Sequence, residues 1–139
     1  MQELPSDKSE ELRVLNLIQP LIPGIKDLVF KQNNGSAFFD FDSPEASLDI
    51  KVREERSDRF KDYFVSKEKV YYLHGHKDRP CYVIYFFKND NKIRAYKLND
   101  CQLEEKEIEF VHKRTGQPTK SKVFCLPAGN FCFEGIVYD

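Results

Sequence analysis

The chain reads as one α/β domain built around a mixed sheet flanked by helices, and three observations predict it. Leu12, Leu15 and Ile18 recur at helical spacing near the start. Two short segments alternate apolar and polar residues around a turn at 43–46. The run Cys81-Tyr-Val-Ile-Tyr-Phe-Phe87 is apolar at both parities, as expected of a strand covered on two sides. Size and composition agree: 139 residues suit a single domain, and 40% hydrophobic content with only 6 Gly and 7 Pro suits a packed core rather than a disordered chain.

Element by element, Asp7 and Glu10 have capping-box spacing, so a helix is expected from about residue 8 to 19, stopped by Pro20, Pro23 and Gly24. Residues 25–32 read as a first strand. The segment Asn33-Asn-Gly-Ser36 reads as a turn, because Asn and Gly tolerate positive φ. Residues 36–42 and 47–54 form two further strands. Residues 56–65 look charged and irregular, and Ser66 is placed to cap a second helix over 67–76 with Val70 and Leu73 inward. The apolar strand 81–87 follows, then a turn at 89–92 and a strand at 93–98. Beyond it the pattern weakens: a short helix is expected over 103–112 and a last strand over 122–126. The resulting order is α-β-β-β-α-β-β, with a core over about 8–98 and an irregular, basic part at 99–139.

Charge and targeting signals exclude several classes. Lys plus Arg is 22 against 23 acids, so bulk positive charge is not the basis of any partner choice. Residues 1–12 lack the basic-then-apolar order of a signal peptide, and the longest apolar run, Tyr82 to Phe87, is too short for a membrane span. A soluble, intracellular (cytoplasmic) protein without membrane association is the expectation. Four scattered cysteines, Cys81, Cys101, Cys125 and Cys132, form no C-x-x-C pair and are expected to be reduced thiols.

The hairpin at 38–51 carries the functional argument. Facing strands around 43–46 pair Asp42 with Ser47, Phe41 with Leu48, Asp40 with Asp49 and Phe39 with Ile50. One face then collects Phe39, Phe41, Leu48, Ile50 and Val52, and the other collects Asp40, Asp42, Asp49 and Lys51. Directly opposed aspartates place their Cβ atoms about 5 Å apart, where like charges destabilise a sheet. A divalent cation would relieve that conflict, since Mg²⁺ takes hard oxygen ligands from one or two carboxylates, water and phosphate. Lys51 lies two residues along the same face, where an ammonium can orient a water or offset charge in a transition state.

Acid on one strand followed by Asp49-Ile50-Lys51 on the next resembles the PD-(D/E)XK nuclease superfamily, which includes restriction endonucleases and Holliday-junction resolvases. The resemblance spans roughly residues 8–98 and implies a restriction-endonuclease-like fold. It implies catalysis by Asp40, Asp49 and Lys51, with Asp42 a weaker substitute for Asp40. Mg²⁺ or Mn²⁺ would be held by Asp40, Asp49, the Ile50 carbonyl and Glu11, with Glu10 a weaker choice than Glu11. The chain departs from the family pattern in lacking a Pro before Asp40, in using Asp as the second acid and in a short interval between the acids. The implied activity is hydrolysis of phosphodiester bonds in nucleic acid, DNA ahead of RNA. A homodimer or larger complex is compatible with it, because cutting two strands needs two sites.

Basic residues at Arg53, Lys113, Arg114, Lys120 and Lys122 are candidate contacts to a phosphate backbone, with the acids of 100–109 expected to face away. The Gly35-Ser36 pair before Asp40 leaves no room for the helix a nucleotidyltransferase needs there. His74 and His76 lack further ligands nearby in sequence for a zinc site. The alternatives are a non-catalytic adaptor of the same architecture and a nucleic-acid binder without turnover.

Overall fold

A computed structural model describes residues 5–33 and 38–138. Helix α1 (Pro5–Ile18) buries Val14, Leu15 and Ile18. It starts earlier than the capping-box spacing suggests: Pro5 opens it, a position suited to proline's fixed φ, so Asp7 lies inside the helix rather than at its cap. A 3-10 turn (Gln19–Leu21) containing Pro20 ends it. The expected strand over 25–32 shrinks to β1 (Lys31–Gln32). The reason is local: Ile25 and Lys26 N–H donate to the Ile22 carbonyl, and the Gln19 side chain donates to the Ile25 and Leu28 carbonyls at 2.9 and 2.6 Å. Those backbone groups are satisfied in a turn and have no call on a neighbouring strand. Of the turn expected at 33–36, residues 34–36, including Gly35-Ser36, lie outside the described residues.

Strands β2 (Phe41–Asp42) and β3 (Ser47–Arg53) follow, then β4 (Asp62–Ser66), helix α2 (Lys67–Gly75), β5 (Cys81–Phe87) and β6 (Lys92–Lys97). Ser66 caps α2 as its sequence predicts, accepting from the Lys69 N–H at 3.3 Å. The β5–β6 turn places Asn91 at φ 50, in the left-handed region that Asn tolerates better than most residues. Three strands complete the fold: β7 (Glu104–Val111), β8 (Pro118–Pro127) and β9 (Phe133–Ile136).

The strands make two sheets. The larger has the order β1-β2-β3-β5-β6-β9, antiparallel throughout except for the β3–β5 pair, and the smaller has the order β4-β8-β7. Helix α1 covers one face of the larger sheet, where Val14, Leu15 and Ile18 share a core with Phe41, Leu48, Ile50 and Ile84. On the other face Val83, Tyr85, Phe87 and Tyr96 pack with Tyr63 and Val65 of β4, Val70 and Leu73 of α2, and Leu126 of β8. Every residue of β5 is buried, as its two apolar parities predict. No helix among the described residues is long and apolar enough to cross a membrane.

Three expectations are corrected here. Residues 56–65 are not irregular throughout, because β4 closes the second core. Most of 103–112 is strand β7 (Glu104–Val111) rather than a helix: all eight residues of β7 pair in register with β8, and that ladder overrides the helix propensity of its glutamates. The part beyond residue 98 is ordered, and it supplies Leu126, Ala128 and Val137 to the cores.

Candidate active site

The β2–β3 turn is built from short polar contacts. The Ser43 hydroxyl accepts from the N–H groups of Glu45 and Ala46 at 3.1 and 3.0 Å. Arg79 grips the same turn from outside, its Nη2 donating to the Ser43 and Ala46 carbonyls at 2.5 and 2.9 Å and its Nε to the Ser47 hydroxyl at 2.9 Å. Asp42 belongs to this brace: its carboxylate accepts from Ser47 Oγ and, at 2.6 Å, from Asn33 Nδ2. It is therefore committed to the turn and does not stand in for Asp40.

The register holds for two pairs, Asp42 with Ser47 and Phe41 with Leu48, and then the ladder stops. In its place the next two acids form a reciprocal clasp. The Asp40 N–H donates to Asp49 Oδ1 at 2.8 Å, and the Ile50 N–H donates to Asp40 Oδ2 at 3.0 Å. Asp49 is 1% exposed, and its second oxygen is ion-paired with the Lys69 ammonium from α2. Backbone amides and an ammonium thus share in relieving the like-charge conflict expected of two opposed aspartates. Because the ladder ends, Phe39 is not on the Phe41 face: it joins the other core, stacks edge-on with Tyr72 at 5.5 Å, and lies 5.5 Å beneath Lys69.

Lys51 projects from the same face of β3 as Asp49, in register with Tyr85 of β5. It is partly buried, and no acid pairs with it among the described residues. The N–H and C=O of a strand residue point to one edge, so the Ile50 carbonyl faces the side on which Asp40 sits. Glu11 occupies the Val14–Leu15–Ile18 stripe of α1, which packs on the opposite face of the sheet. Glu10 is ion-paired with Lys88 at 3.4 Å. Among the described residues no three acidic, histidine or cysteine side chains converge to hold a metal; the Asp40 N–H bond to Asp49 is what joins those two acids. A cation here would draw on Asp40, the Ile50 carbonyl and Asp49, and it would have to displace the Lys69 ammonium to reach the Asp49 oxygen that ion pair holds.

The remaining candidates lie elsewhere. Arg53 ends β3, exposed, 5.9 Å from the centre of the Tyr85 ring. Lys113 and Arg114 sit at the exposed tip between β7 and β8. Lys120 and Lys122 reach Glu107 and Glu105 across the ribbon at 3.9 and 3.5 Å, so those acids share a surface with the lysines instead of facing away. His76 stacks on Tyr72 at 4.0 Å. Burial pushes the Cys81 and Cys101 thiols up to about 11, which keeps them protonated and unsuited to nucleophilic catalysis.

Lys69, one of several basic residues in 51–69 that the sequence offers as phosphate contacts, is instead the partner of Asp49, a role that sequence reasoning missed. One signal for it exists: Lys67 and Lys69 fall in the first turn of α2, where the helix dipole favours acids, so a lysine there asks for a partner elsewhere. No family model, curated protein or solved structure matches this chain.

Proposed function

We propose that the chain is a metal-dependent nuclease of the restriction-endonuclease-like class that hydrolyses phosphodiester bonds, with DNA the first substrate to test. The observation that carries this reading is the clasp itself: Asp49 Oδ1 accepts from the Asp40 N–H and Asp40 Oδ2 accepts from the Ile50 N–H, with Lys51 two residues beyond Asp49 on the same face. Supporting it, three antiparallel strands after α1 and a parallel crossover through α2 put these groups on a buried strand. Asp40, Asp49 and the Ile50 carbonyl would hold Mg²⁺ or Mn²⁺, which when bound supplies Lewis acidity and a lowered pKa for its water. Lys51 orients the attacking water and offsets charge on the phosphate. Lys69 is the resident counter-charge of Asp49. Arg53 lies nearest this strand among the basic candidates, and Lys113, Arg114, Lys120 and Lys122 contribute at most a separate contact through the ribbon.

A second reading, a non-catalytic adaptor, draws on the Lys69–Asp49 pair, which already neutralises the buried acid. One assay separates the two. Single-stranded, duplex and branched DNA and RNA are incubated with Mn²⁺ or Mg²⁺. The nuclease reading expects cleavage that chelator abolishes and that Lys51→Ala lowers about 10²- to 10⁴-fold. Absence of cleavage across all substrates, or cleavage untouched by Lys51→Ala and Asp40→Asn, overturns it in favour of the adaptor.

A further inference from the structure

Beyond Lys51 the same face of β3 leads to Arg53, and there the surface opens into a cleft of about 270 Å³ between β3 and the free edge of β4. Arg53, Phe60, Tyr63, Phe64 and Tyr85 line it, with Glu55 and Asp62 as acids in the same wall. Tyr85 is the register partner of Lys51, and two strand residues span about 7 Å, so the cleft begins within one such step of the lysine. Tyr63 and Tyr85 are stacked at 4.3 Å and form a fixed aromatic floor. Phe60 and Phe64 are 48% and 59% exposed, large apolar rings left in water beside a charged strand.

We propose that this cleft takes one unstacked nucleobase from an unpaired strand, placing the adjoining backbone along Arg53 and Lys51. Three features select that occupant. The volume falls just below the roughly 300 Å³ at which pockets for drug-sized ligands begin, so it suits one planar ring system. Aromatic walls offer π faces to any base, the usual means of holding single strands. Glu55 and Asp62 repel a phosphate but accept from an exocyclic amine, as carboxylates do from cytosine N4, so the base enters and the phosphate stays at the arginine. A base inside a duplex cannot reach the cleft without leaving its stack, which makes the preferred substrate a single strand, flap or frayed end. The inference rests on the nuclease reading only for the fate of the strand, not for its binding.

The test uses the full chain with chelator present and a single-stranded cytosine-rich oligodeoxynucleotide carrying one 2-aminopurine. Expected are quenched 2-aminopurine fluorescence on binding, weaker binding of a thymine-rich strand, and a loss of affinity of about ten-fold or more in Phe60→Ala and in Phe64→Ala. Both rings are exposed, so the variants are checked for unchanged denaturation midpoints. Binding without quenching, affinity indifferent to both variants, no binding at all, or equal competition by a free nucleoside monophosphate overturns the proposal. Quenching by a wild-type protein that cleaves nothing with Mn²⁺ would instead retire the nuclease reading and leave the cleft standing.

Discussion

Two antiparallel pairs in this molecule carry opposed charges and treat them in opposite ways. In the β7–β8 ribbon, Lys120 and Lys122 face Glu107 and Glu105 with every side chain more than half exposed. Where the β2–β3 ladder ends, Asp40 and Asp49 are clasped through backbone amides, and Asp49 is almost wholly buried with its ammonium partner supplied by a helix. The ribbon solves its electrostatics inside the ladder and needs nothing from the rest of the fold. The hairpin abandons its ladder and draws on backbone amides and α2. Charged residues in alternation do not distinguish these cases; burial does.

That contrast can be broken first at Lys69. Lys69→Met leaves a buried carboxylate without its counter-charge, and a loss of about 3–5 kcal/mol in urea unfolding is expected. The Asp49→Asn, Lys69→Met double variant should recover much of it. Purely additive losses in that cycle would show that the pair is not coupled. If the proposed metal site is real, Lys69→Met should also bind Mn²⁺ more tightly by calorimetry, since no ammonium competes for Asp49.

A middle-sized effect is expected at Ser57, whose N–H and hydroxyl both donate to Asp90 at 3.1 and 2.6 Å. Burial works against the Asp90 charge, but these bonds outweigh it and hold the carboxyl below its ordinary range. A depressed carboxylate stabilises the fold above its unfolded pKa of about 3.9 and loses that contribution as pH falls through the folded value. Ser57→Ala should therefore cost about 1 kcal/mol at neutral pH, and its gap from wild type should narrow below about pH 4. A gap independent of pH would assign the loss to packing alone.

The smallest effect belongs to the ribbon. Lys120→Ala and Lys122→Ala should each change stability by less than about 0.5 kcal/mol. A larger cost at either lysine would mean that the ribbon's charges are organised like the hairpin's.

Local signals were the ones legible in the chain. The Ser66 cap, the two-parity strand 81–87 and the first two hairpin pairs each depend on neighbours close in sequence, and each appears where its residues place it. Strict alternation puts Phe39 on the wrong face because it assumes a continuous ladder, and the Asp40 carboxylate interrupts that ladder by capping the Ile50 amide. Strand β7 reads as a helix because Glu and Lys favour one, and only pairing with a segment 7 to 21 residues away reverses that preference. At the site, Asp40, Asp49 and Lys51 were visible as a pattern. Lys69 was not, since its approach depends on how α2 docks.

The crossover between β3 and β5 holds both cations that lock the acidic hairpin, Lys69 within its helix and Arg79 just before its second strand. Neither anchor can be released alone while that connection stays docked, so the hairpin and the crossover should open together as one cooperative unit. In hydrogen exchange the amides of Asp40 and Ile50 would then share a single opening free energy with α2, and the acidic clasp would assemble late, as a whole, rather than residue by residue.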